Sequence, residues 1–121
     1  MNSLLDQKRT TLQGCLDLIA SGDRICFAGG CNQPVAFMRQ FHTVAPRVED
    51  VECIKSRSGD YEFVTAPGMN GHINTGSPLY GEAFIEGMKH GNTSHIVCDI
   101  CDYSRFINEH NPCYTFIAAV S

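Results

Sequence analysis

Little in this sequence is charged, and nothing in it is strongly basic. Charged residues make up 18% of the 121, with nine Lys plus Arg against thirteen Asp plus Glu and a net charge of −4. The positive residues are scattered (Lys8, Arg9, Arg24, Arg39, Arg47, Lys55, Arg57, Lys89 and Arg105) and form no run. That argues against nucleic acid as a partner, because a phosphate backbone calls for a basic face. No stretch approaches the roughly 20 apolar residues of a membrane span. Leu4 and Leu5 are followed at once by Asp6, Lys8 and Arg9, so no apolar core of a secretory leader is visible. The seven cysteines are odd in number and lack framework spacing. Reduced thiols in a cytoplasmic protein are the simplest reading. There is no internal repeat and no low-complexity tract.

What is present is enough apolar material for a core. Hydrophobic residues make up 43% of the chain, and its length suits one compact domain, 1–121. The spacing of Leu12, Cys15, Leu16 and Ile19 predicts a helix over 11–21, capped by Thr11 and ended by Gly22. Arg24 to Ala28 reads as a strand around Ile25 and Phe27. Asn32-Gln33-Pro34 then predicts a helix start, with Asn32 as N-cap, Pro34 in the first turn, and Val35, Met38 and Phe41 on one face. Val51 to Ile54 predicts a second strand. Residues 66–78 are rich in Gly, Asn and Pro and give no clear element. A helix fits 79–90, where Tyr80, Phe84, Gly87 and Met88 share a face, Lys89 and His90 suit the C-terminal dipole, and Gly91 ends the run. His95 to Cys98 predicts a strand, Asp102 to Glu109 a short helix, and Tyr114 to Val120 a last strand. Alternating strands and helices imply an α/β fold with a mostly parallel sheet and covering helices. The near-continuous apolar run 114–120 reads as a strand covered on both faces. Such a strand normally feeds a further helix, so the sequence reads as cut within a domain.

The strongest local signal is SGDRICFAGGCNQP, residues 21–34. A strand running through Gly29 and Gly30 toward a capped helix would let a ligand oxygen approach the backbone. An ordinary tight turn explains the same glycines, and the third glycine of a dinucleotide fingerprint is missing. In open α/β sheets ligands bind beyond the carboxyl ends of the strands. That selects Gly29, Gly30, Asn32 and Gln33 after the first strand, and Ser56, Ser58 and Gly59 after the second. Small residues there would leave room for an acid, and polar ones would orient it. A plain turn or cap role stands beside this for each.

Three other groupings are weaker. Glu82 and Glu86 lie one helical turn apart and could act as acid and base. They fall off the apolar face, however, which reads as a solvated surface. Cys98 and Cys101 form a C-x-x-C without a second ligand pair at zinc-like spacing, so buried packing is the simpler reading and no metal site is expected. His72, in the stretch Gly71-His72-Ile73-Asn74, is the one histidine to watch.

Taken in order, these segments resemble the N-terminal part of the acetyl-CoA hydrolase/transferase family, which includes acetate and 4-hydroxybutyrate CoA-transferases. Family members open with a helix, an SGDRV-like segment, a strand and a G-x-G-x-x-E-P loop. Here stand Ser21-Gly22-Asp23-Arg24 and Ala28-Gly29-Gly30-Cys31-Asn32-Gln33-Pro34. Gly71 to Asn74, the helix EAFIEGMKHG (residues 82–91), Asp102 to Phe106 and the strand FIAAVS (residues 116–121) follow in the family's order. Gln33 departs from the usual Glu, and Ala28 from the first Gly.

The resemblance implies transfer of coenzyme A between an acyl-CoA and a short-chain carboxylate such as acetate. CoA would act as substrate, with no bound cofactor. It also implies Asn74 as a further pocket residue. Family enzymes attack the thioester with a glutamate from their second half, which this sequence does not contain, so no catalytic residue is assigned and the chain alone is expected to be inactive. Two other readings stay open. One is a stand-alone module binding a small acid or CoA. The other is an interaction-only protein that pairs through an exposed sheet edge, with itself or a partner.

Overall fold

The computed structural model describes residues 3–55, 60–79 and 81–118. Its frame is a five-stranded, all-parallel sheet, so the α/β expectation holds. The strands are β1 (Arg24–Phe27), β2 (Val51–Lys55), β3 (Ile73–Ser77), β4 (Thr93–His95) and β5 (Tyr114–Phe116). They lie in the order β4-β3-β2-β1-β5. The helices are α1 (Ser3–Lys8), α2 (Leu12–Asp17), α3 (Val35–Gln40), α4 (Glu62–Thr65), α5 (Glu82–Lys89) and α6 (Tyr103–His110). A 3-10 segment, Phe41–Arg47, extends α3.

The order of the strands decides where the helices go. From β1 to β4 each strand is added on the same side of its predecessor, so right-handed crossovers keep their helices on one face. The return to β5 reverses direction and carries α6 under the opposite face. Side-chain alternation fits this. Ile25, Phe27, Val51, Cys53 and Ile73 point into the main core with Phe37, Met38, Phe41, Phe63 and Val64. Glu52 and Asn74 point to the other face, where Phe106 and His110 of α6 lie.

Local chemistry fixes several elements. Thr11 caps α2, its Oγ1 accepting from the Gly14 N–H at 3.0 Å. Arg47 donates to the carbonyls of Leu16 and Ile19, satisfying the end of that helix and tying it to the 3-10 segment. Asn92 is buried and donates to the Phe63 carbonyl at 3.1 Å, joining the approach to β4 to α4. His72 turns Nδ1 to the Val48 carbonyl at 2.7 Å, a packing role.

The structure corrects several sequence readings. Asn32 does not cap α3. It ends a 3-10 turn, Gly30–Asn32, and Pro34 stands between that turn and the helix. The unassigned stretch contains β3, whose inward positions Thr75 and Ser77 are polar yet buried. β4 lies at Thr93–His95 rather than 95–98. β5 is described as a strand only over Tyr114–Phe116 and is not covered on both faces, since Thr115 and Ile117 are exposed. Met88 is exposed too, while Ala83, Phe84 and Gly87 make the buried face of α5.

Gly87 shows how closely α5 sits. A Cβ there would lie 2.5 Å from the Val64 carbonyl oxygen and 2.5 Å from Thr93 Cγ2. At Gly14 it would meet Thr10 Oγ1, the end of a side chain that can turn away. In a free helix Gly→Ala gains about 1 kcal/mol. Gly87→Ala should reverse that sign and lose about 1–3 kcal/mol through overpacking. Gly14→Ala should be neutral or stabilising. Urea unfolding of the two variants checks this contrast, and equal stabilisation would refute the close packing.

Candidate functional site

Strand order reverses once among the described strands, between β1 and β5. In open parallel sheets such a reversal is where ligands bind, beyond the carboxyl ends of the strands. The Gly29–Gln33 turn leaves β1 at this point. It is held to the β5 side by two backbone hydrogen bonds, Ala28 N–H to the Phe116 carbonyl at 3.0 Å and Ala118 N–H to the Asn32 carbonyl at 2.8 Å. Gly30 has φ 62°, a left-handed value that favours glycine, and open space lies where its Cβ would stand. Beside the turn, the rings of Phe37 and Phe116 stack with centroids 4.1 Å apart.

One polar contact links this turn to the next connection. Tyr61, just before α4, donates its hydroxyl to Gln33 Oε1 at 3.1 Å. The face of the same ring carries Lys55, whose Nζ lies 4.6 Å from the Tyr61 centroid and 5.6 Å from that of Phe63. Lys55 ends β2 opposite Phe27, the last residue of β1, and is 1% exposed. Its ammonium has no hydrogen-bond acceptor among the described residues. Burial pulls its pKa down to about 8 from 10.5, against smaller upward pulls from Cys53 and Asp60. Two ring faces offset only part of that burial, since a cation–π contact contributes about 0.5–2 kcal/mol and an uncompensated buried ion costs several.

Sequence reasoning missed Lys55 and Tyr61. The available signal was a lysine closing an apolar strand at its carboxyl end, where a solvated side chain is the ordinary expectation.

The expected pocket residues divide. Gly29, Gly30, Asn32 and Gln33 fall together in the turn after β1, with Gly30 and Asn32 exposed and Gly29 and Gln33 half-buried. Ser56, Ser58 and Gly59 lie outside the described residues. Asn74 is elsewhere. It faces the α6 side in a cleft of about 170 Å³ shared with Glu52, Ser94, Phe106 and His110. The Nε2 of His110 is buried there without a partner among the described residues, and burial lowers its pKa.

The other candidates have ordinary surroundings. Glu82 is exposed, and Glu86 pairs with Lys89 at 2.9 Å and with His90 at 3.5 Å. Cys53 is buried against Thr75 Oγ1 at 3.2 Å, and burial pushes its thiol up to about 12, so it is held protonated. Among the described residues no three His, Cys, Asp or Glu side chains stand together as a metal site.

No family model matches the sequence, and no curated protein matches it. Solved structures do match in fold. The crystal structure of RipA from Yersinia pestis superposes with a TM-score of 0.81 over 96% of this chain at 16% identity. The structure of a RipA mutant gives 0.81 over 96% at 15%. This chain spans 30% and 29% of those two chains.

The buried lysine has a pH signature. Its folded pKa lies below its unfolded value, so its burial penalty is fully present below pH 8 and is relieved as pH rises toward 10.5. Lys55→Met should therefore be more stable than the parent at pH 7, by on the order of 2–3 kcal/mol. That advantage should shrink by pH 10. The raised Tyr103 group is common to both proteins and cancels in the difference, and Cys53, though coupled to Lys55, is held protonated in the fold at both pH values. Urea unfolding at the two pH values checks this, and an advantage independent of pH would refute it.

Proposed function

We propose that this chain forms the acid-binding part of a CoA-transferase-type protein, moving CoA between an acyl-CoA and a short-chain carboxylate. The observation that carries the reading is the position of the Gly29–Gln33 turn at the reversal of strand order, where open parallel sheets hold their ligands. The order of family-like segments along the chain supports the chemistry. A small acid would sit with its apolar end toward Phe37 and Phe116 and its carboxylate toward the turn. Gln33, half-buried in the turn, offers an amide N–H to one oxygen.

On this reading the chain positions the acid but does not supply the nucleophile. Acyl exchange through a carboxylate needs a glutamate aimed at the thioester carbon. Glu82 and Glu86 face solvent, and Cys53 is held protonated. A cytoplasmic setting fits the seven cysteines, all of them free thiols. No helix among the described residues is long and apolar enough to cross a membrane.

One observation favours a second reading, a self-association module. Val97, Ile100 and Ile117 are 90%, 88% and 60% exposed in the connections that follow β4 and β5, the two edge strands. Concentration-dependent assembly without ligand binding would select that reading.

Acetate has so few atoms that it can bind with at most about 6 kcal/mol, a Kd no tighter than tens of micromolar. Titration should therefore reach tens of millimolar. Amide NMR with acetate, and separately with acetyl-CoA, should give saturable shifts at Gly29, Gly30, Cys31 and Gln33. The chain alone should not exchange label between acetyl-CoA and acetate. Absence of saturable shifts, or shifts confined to Asn74, Ser94 and His110, would overturn the proposal.

A further inference from the structure

We infer that Lys55 is the buried cation that holds the carboxylate of the acid, with Tyr61 as the ring that the acid displaces; this rests on the acid-binding reading above. The geometry leads there in three steps. First, Lys55 and Phe27 are register partners at the carboxyl ends of β2 and β1, so Lys55 closes its strand at the level from which the Gly29–Gln33 turn departs. Second, a single side chain separates them, since the face of Tyr61 covers Nζ while its hydroxyl is bonded to Gln33. Third, the ammonium is almost wholly buried without an acceptor among the described residues.

Among the described residues no carboxylate is hydrogen-bonded to Lys55, which leaves room for a ligand to bring one. On its own strand Lys55 faces the Cys53 thiol, which is held protonated. Asp60 acts on it electrostatically but is exposed, and Arg39 acts on Tyr61. The inward residues of β1 and β3 are Ile25, Phe27, Ile73, Thr75 and Ser77, none of them charged. A carboxylate at Nζ would therefore meet an unneutralised cation in an apolar setting, where a charge-assisted hydrogen bond is strong. The ring cluster that runs from Phe63 through Phe27 to Phe37 and Phe116 favours a short apolar tail over a second charge, which defines the ligand class as a short-chain monocarboxylate. Displacing the Tyr61 ring also breaks its bond to Gln33. That frees the Gln33 side chain to turn its amide N–H to the second carboxylate oxygen.

Anion binding at a lysine poised near pH 8 carries a proton with it. Above that pH the free protein holds a neutral amine, and the arriving carboxylate restores the ammonium by uptake of one proton from solvent.

The test is calorimetry of the whole chain with butyrate, in buffers of different ionisation enthalpy at pH 7 and pH 9. The parent should take up close to one proton per butyrate at pH 9 and almost none at pH 7. Its affinity should fall by about tenfold per pH unit above pH 8. Lys55→Met should lose at least about tenfold in affinity at pH 7, together with the pH 9 proton uptake. In the parent, the Lys55 ¹³Cε resonance should titrate at higher pH when butyrate is saturating, a readout that needs no variant. Butyrate binding with an unchanged Lys55 titration, or a folded Lys55→Met that binds like the parent, would overturn the role of Lys55 alone. No saturable butyrate binding by the parent at either pH would overturn the acid-site reading as well.

Discussion

The ring of Phe27 is the contact on which the rest of the structure depends. It projects from the end of β1 and meets Phe37, Phe41, Phe63 and Phe116 with centroids 5.6–6.0 Å away. Those partners come from α3, from the 3-10 segment that follows it, from α4 and from β5. One side chain thus gathers successive crossover connections and the returning strand. Aromatic pairs of this kind contribute about 0.5–1.5 kcal/mol beyond the area they bury, and a cluster shares that gain among all the elements it joins. β5 is only three residues long and holds its place through this cluster and its ladder to β1.

The same cluster explains why the polar groups sit where they do. Beyond Phe27 the strand runs out, the glycine turn begins, and the apolar floor gives way to Gln33, Tyr61 and Lys55. Lys55 is the register partner of Phe27 and lies at the edge of the ring cluster, where its ammonium finds aromatic faces rather than carboxylates. Natural cores rarely keep such a cation uncompensated. On the proposed reading, an arriving carboxylate at the one reversal of strand order among the described strands would relieve that penalty.

The legibility of the fold from sequence follows the distribution of apolar residues. β1 and β2 are readable because Ile25, Phe27, Val51 and Ile54 are apolar and bounded by polar residues. The 3.6-residue period of α5 is readable through Phe84 and Gly87. β3 is not, because its inward positions after Ile73 are Thr75 and Ser77. Their hydroxyls are satisfied by contacts with Cys53 and Leu79 that no periodicity can show. Of the site, the glycine turn and Gln33 are legible as chain punctuation. Asn74 rests on motif alone, and strand alternation places it on the face opposite the inward-facing Ile73. Lys55 cannot be recognised in advance, since a lysine in sequence reads as solvated until the sheet register buries it.

A short acid lying between the glycine turn and the aromatic cluster, with its carboxylate at Lys55, would place its tail against two particular rings. Isotope-filtered NOE spectroscopy tests this most directly, using labelled protein and unlabelled butyrate. Contacts from the butyrate methyl to the ring protons of Phe37 and Phe116 are the predicted result. Contacts to the Phe106 ring in the cleft on the other face, with none to Phe37 or Phe116, would contradict it.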